Sequence, residues 1–189
     1  MRDDDEGTLT ILPDPSAPET RLAKGATIVG ATGTVSDLAR LRTTLRELNG
    51  RTGVFVVLLR ADRVLEDLHL REAIRRAARY HEQEAAAPTT LAADVLRYVA
   101  GSRQIERAIA MVGVRAGPCD ALLAVAGPIE VEAVLSALGL TRMRARFGEP
   151  LEVLGGLGLS AGARPPIDLL LEAMALLELE LPRAGSENP

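Results

Sequence analysis

The chain has 189 residues, 47% of them hydrophobic and 2% aromatic, and carries a formal net charge of −4. That length buries one domain core, built here from Leu, Val, Ile and Ala, and the single cysteine, Cys119, excludes an intramolecular disulfide framework and a thiol-rich zinc site. The acidic start MRDDDEG and the lack of an apolar run near the ~20 residues that span a bilayer argue against secretion and insertion, so a soluble, cytoplasmic protein is expected.

Residues 1–20 combine DDDE with Pro13, Pro15 and Pro18 and are expected to form an extended or mobile arm, in which Leu9, Ile11 and Leu12 could add an edge strand. Residues 21–182 form the domain and 183–189 a disordered tail. A strand is expected over Ala26–Ala31, then a GATG turn. A helix over Asp37–Asn49 aligns Leu38, Leu41, Leu45 and Leu48, with Ser36 or Asp37 as N-cap and Gly50 as its stop.

Val54–Val64 is a β-branched run, followed by a helix over Leu68–Gln83 that sets Arg71, Arg75 and Arg79 at four-residue steps. Thr89–Val114 predicts two helices broken at Gly101, the second capped by Ser102. Ala121–Gly127 predicts a strand, and Pro128 opens a helix that ends near Gly139. Thr141–Phe147 alternates, with Arg142, Arg144 and Arg146 on its outer side. A glycine-rich connector, Gly155–Gly162, then leads to a leucine-rich helix, Ile167–Leu181, apolar on more than one face. The fold class expected is α/β of the α+β type, a single domain with a mixed, partly antiparallel sheet flanked by helices.

The stretch TIVGATGTVSD, Thr27–Asp37, invites comparison with a dinucleotide-binding loop, in which backbone N–H groups at a helix start meet a pyrophosphate. The third glycine of that loop would fall at Ser36, and VFVVLL runs into Arg60 rather than an acidic residue. The expected role of Gly30 and Gly33 is therefore a connecting turn. His69 and His81 lack any zinc-binding context and are expected on the surface. Cys119 follows Gly-Pro in an expected loop without an activating histidine. Glu66, Asp67 and Glu72 have Arg63 and Arg71 as helix-face partners. No catalytic, metal or cofactor residue is expected.

LAADVLRYVAGSRQIERAIAMVGVRAG, Leu91–Gly117, resembles the signature of the TPRKB-type (PRPK-binding) subunit of the KEOPS tRNA-modification complex. Val95, Leu96, Gly101, Gln104, Ile105, Ala108, Ile109 and Gly113 carry the match, and Asp94 stands where the family usually has glutamate. The order of elements over residues 24–181 is similar as well, whereas the acidic arm and the insert at 155–162 depart from the family. The resemblance implies a non-catalytic subunit that binds and stimulates a PRPK-type atypical kinase. It also implies support for threonylcarbamoyl-adenosine formation in tRNAs reading ANN codons, alongside the other KEOPS subunits. Archaeal relatives hold the tRNA 3′ CCA end.

On that basis the kinase-binding residues expected are Leu170, Met174, Leu177 and Leu181 of the closing helix. The tRNA-binding residues expected are Arg97, Gly101, Ser102, Arg103 and Gln104 at the helix break. The alternative is a nucleotide-binding enzyme or small-ligand sensor using the GATG turn.

Overall fold

In Phe55–Leu59 and Ala121–Ala126 every side chain is apolar, so strands made of these runs need cover on both faces. The computed structural model, which describes residues 25–83 and 90–180, provides it. The acidic arm, Lys24, the AAAP linker, Leu181 and the tail lie outside the described residues.

In chain order the elements are β1 (Thr27–Val35), α1 (Leu38–Asn49), β2 (Phe55–Arg60), a 3-10 turn (Ala61–Arg63), α2 (Asp67–Gln83), α3 (Leu91–Ala100) and α4 (Ile105–Val112). There follow β3 (Gly117–Ala126), α5 (Val131–Leu138), β4 (Leu140–Met143), α6 (Pro150–Gly156) and α7 (Pro166–Glu180). The strands form one sheet in the order β2-β3-β1-β4, and each ladder among the described residues is antiparallel.

The two-residue period of the strands sorts the core. Phe55, Val57, Leu59, Leu122, Ala124 and Ala126 point to one face, where residues of α2, α3, α4, α6 and α7 cover them. Val29, Ala31, Val56, Leu58, Leu123 and Val125 point to the other, under Leu41 and Leu48 of α1 and Val134 and Leu135 of α5. Each fully buried aliphatic side chain contributes about 1.5–3 kcal/mol. The expected α/β class holds, with the antiparallel character extending through the whole sheet.

Helix boundaries follow their caps. Asp37 accepts from the Arg40 N–H at 2.9 Å, and Thr90 from the Ala93 N–H at 3.2 Å. Gly101 and Gly139 end α3 and α5 at φ +57° and +68°, the left-handed region that glycine enters without strain.

Several local expectations are corrected. The GATG stretch is not a turn, because β1 runs straight through it to Val35. Close approach is what requires glycine there. A Cβ on Gly30 would lie 2.5 Å from the Arg144 carbonyl oxygen, and one on Gly33 would lie 2.9 Å from Leu140 Cδ2. The expected strand over Thr141–Phe147 stops at Met143, since the chain then leaves the sheet edge and crosses Gly30. Ala145 and Phe147 pack into the core from that crossing segment. Pro128 precedes its helix by a turn, and Glu130 is the N-cap of α5. Pro150 nucleates an unforeseen helix, α6, that takes in Gly155 and Gly156.

The free edge of β2 is plugged. Asn49 receives the Val56 N–H at 2.9 Å and donates to the Val56 carbonyl at 2.8 Å, and Leu59 bridges to Gly113. On the far side, β4 covers β1 only over Gly30–Gly33, which leaves Thr27–Val29 without a ladder partner on that edge among the described residues.

Candidate functional site

The spacing that aligns Leu170, Met174 and Leu177 does define one face of α7, and it is the inward one. These side chains are 2%, 1% and 3% exposed and belong to the main core. The opposite face is the exposed one, where Leu176 is 54% and Leu179 74% exposed. Leu171 and Ala175 are half-buried beside them. Leu181 lies outside the described residues.

Charge pins the helix from one side. Glu178 accepts from Arg76 Nη1 at 2.5 Å and also pairs with Arg79, tying α7 to α2. The expected arginine stripe is thus largely spent within the fold. Arg71 pairs with Asp67, and Arg75 with Glu72 at 2.6 Å, while Arg79 holds Glu178. Hydrogen bonds from Arg75, opposed by burial, hold the Glu72 carboxyl below its usual range.

The residues expected at the helix break do come together between α3 and α4, in unequal states. Arg97 donates to the fully buried Asp94 at 3.0 Å, so its guanidinium is already engaged. Ser102 is 8% exposed, and its hydroxyl makes a long 3.4 Å contact to the Gln104 carbonyl. It does not cap α4, whose N-cap is Gln104 with no side-chain hydrogen bond. Arg103 and Gln104 are exposed, as is Gly101. The bend rests on α7, since a Cβ on Gly101 would lie 3.3 Å from that of Ala173. Tyr98, Gly101, Leu157, Leu170 and Ala173 enclose a cavity of about 30 Å³, room for roughly one water. The two expected surfaces therefore meet on one helix.

Neither histidine is a solvated surface residue. His69 is fully buried, accepts from the Leu65 N–H at 3.2 Å through Nδ1, and so carries its proton on Nε2, which faces the Val99 backbone without a well-formed hydrogen bond. Burial, offset in part by Val99, lowers its pKa from 6.5 to about 4. His81 Nε2 lies 2.6 Å from Asp94 Oδ2, so Asp94 latches the end of α2 and also holds Arg97. Sequence reasoning missed that hub, although Asp94 occupies the acidic position of the resembled signature.

Burial, then the Asp120 carboxylate, raises the Cys119 thiol, which sits within β3 rather than in a loop. Among the described residues no group of His, Cys, Asp and Glu could hold a metal ion, and no helix is long and apolar enough to cross a membrane. Gly30 and Gly33, inside β1, offer no helix start to a nucleotide phosphate.

A one-sheet domain in which the α2 arginines, Asp94 and Glu178 are tied into the fold, and whose outer surface presents an apolar helix face beside a glycine bend, has the features of a binding domain. The family model described as kinase binding protein CGI-121 matches residues 33–139, more than half of the chain, and the chain belongs to that family. It is the family of TPRKB-type subunits that the Leu91–Gly117 pattern resembles. The match takes in the Gly101 bend and ends before α6 and α7. No curated protein gave a match.

Proposed function

We propose that the chain is a non-catalytic subunit of a KEOPS-type assembly. It docks a PRPK-type kinase on the outer face of α7, stimulates its ATPase, and holds the 3′ CCA end of tRNA at the Gly101 bend, in support of threonylcarbamoyl-adenosine formation.

The observation that carries the kinase half is the exposure of Leu176 and Leu179 on a helix whose opposite face is core, in a chain of a kinase-binding family. Exposed apolar groups rimmed by charge are what a partner surface offers. Copurification of the full chain with the kinase tests it. Leu176→Glu with Leu179→Glu is expected to abolish capture while leaving the melting temperature of the isolated chain within a few degrees. Capture that survives in a folded double variant refutes the assignment.

The tRNA half rests on the resemblance and on the exposed Arg103 and Gln104 beside a glycine bend. Arg103→Glu is expected to weaken tRNA binding and to lower the salt slope by about one. Unchanged affinity and slope would remove the bend from the interface.

A further inference from the structure

At its first three residues, Thr27–Val29, β1 has a notch. β4 pairs with Gly30–Gly33 and then departs over Gly30, so Ile28, Val29, Met143, Arg144 and Ala145 line a shallow depression of about 490 Å³ beside an unpaired strand edge. The edge on the other side of the sheet is plugged by Asn49 and Gly113, whereas the notch leaves backbone of β1 open among the described residues.

Its rim is basic. Arg144 and Arg146 are exposed and make no ion pair among the described residues, and Arg142 makes only a solvent-exposed one with Glu132, at 3.1 Å. The arginine stripe of α2, by contrast, is neutralised by Asp67 and Glu72 of the same helix and by Glu178 of α7.

We propose that the occupant of this notch is the acidic segment of the same chain. Asp3–Glu6 lies on the guanidinium groups of Arg144 and Arg146, and the alternating stretch Thr8–Leu12 runs along the free edge of β1. Charge supports this, because four consecutive carboxylates meet two arginines beside the notch that make no ion pair among the described residues. Tethering supports it too. The chain enters the described structure at Gly25, two residues before the start of β1, and a 19-residue tether has a root-mean-square reach of about 25 Å. Thr8–Leu12 carries β-branched residues and alternation suited to edge pairing. The segment then acts as a shield that keeps outside polyanions off the basic rim.

The test compares the full chain with a form carrying Asp3→Asn, Asp4→Asn, Asp5→Asn and Glu6→Gln, by backbone amide shifts and by heparin affinity at low salt. Neutralising the arm is expected to move the amides of Ile28, Val29 and Arg144–Arg146, independently of protein concentration, and to raise heparin affinity about fivefold. Most of that gain should vanish at high salt. The gain should also vanish in an Arg144→Glu, Arg146→Glu background, which separates local shielding from the change in net charge. Shifts centred on other arginines, such as Arg40, Arg42 and Arg46, or no shifts at all, overturn the proposal. So does concentration dependence, or a heparin gain that persists without the two arginines.

Discussion

Glu178 accepts a hydrogen bond from Arg76 across the gap between the last helix and α2, at 2.5 Å, where the two side chains are 22% and 14% exposed. Arg76 also binds Glu72, and Arg79 shares Glu178, so the carboxylate closes a chain of charges rather than one pair. Replacing it by Gln leaves two partly buried guanidinium groups facing a neutral amide. Glu178→Gln is expected to cost about 1–3 kcal/mol in urea unfolding. It should also speed amide exchange in α7. Equal stability and exchange in the variant and the parent would mean that the network only decorates the surface.

Met174 and Leu176 sit two residues apart on α7 and have opposite fates. A carboxylate placed at Met174, 1% exposed, has neither water nor a cation assigned to it, and Met174→Glu should unfold the domain; Met174→Ala should cost about 2–5 kcal/mol. Leu176→Glu, at a position 54% exposed, should change stability by less than about 0.5 kcal/mol. Denaturation curves on the two Glu variants decide it, and similar losses from both would contradict the assigned faces.

His69 gives the domain an acid limit. Folded His69 resists protonation down to about pH 4, whereas the unfolded chain takes up that proton near 6.5. Its contribution is therefore complete above about pH 6.5 and declines toward pH 4, by an amount on the order of 3 kcal/mol. Glu72, held below its usual range by Arg75, erodes stability in the same direction at lower pH, below the pKa of an unfolded glutamate. His69→Gln keeps an acceptor for the Leu65 N–H and should flatten the stability curve between pH 4 and 6.5 while leaving the Glu72 contribution. An undiminished slope in that variant would place the titrating group elsewhere.

At Gly30 the missing Cβ would meet backbone, and backbone does not step aside. Gly30→Ala is expected to destabilise by roughly 1–3 kcal/mol as the Arg144–Ala145 crossing is displaced. Gly33→Ala meets the end of the Leu140 side chain most closely, with the nearest backbone atom, the Gly139 carbonyl oxygen, 3.3 Å away, and should cost less. Thermal unfolding of both variants checks the order, and a reversed order would show that the crossing yields more easily than Leu140.

Periodicity in the sequence revealed the helices and the apolar strand runs, because side chains repeat with the geometry that buries them. It could not say which of two apolar faces of α7 is turned inward. That depends on where α2, α3 and α6 lie, and on Glu178 finding Arg76 and Arg79 about a hundred positions upstream. Glycine misled for a related reason. In GATG it suggested a turn, but what calls for it is chain more than a hundred residues away, Gly139–Ala145, pressing on β1. The Gly101 bend, by contrast, was legible because a left-handed C-cap is a local requirement. Asp94 and His81, on different helices and 13 positions apart, left no periodic trace.

The crossing over Gly30 also orders events in time. Residues 144–148 strap β1 down: Gly148 donates to the Val64 carbonyl on the far side, and the half-buried Ala145 and Phe147 pack against the core. A strand held beneath a strap cannot peel away from its free end, so β1 can open only after the strap lifts. Opening of that edge is therefore expected to require release of a segment that has no regular secondary structure of its own as well as of the β3 ladder.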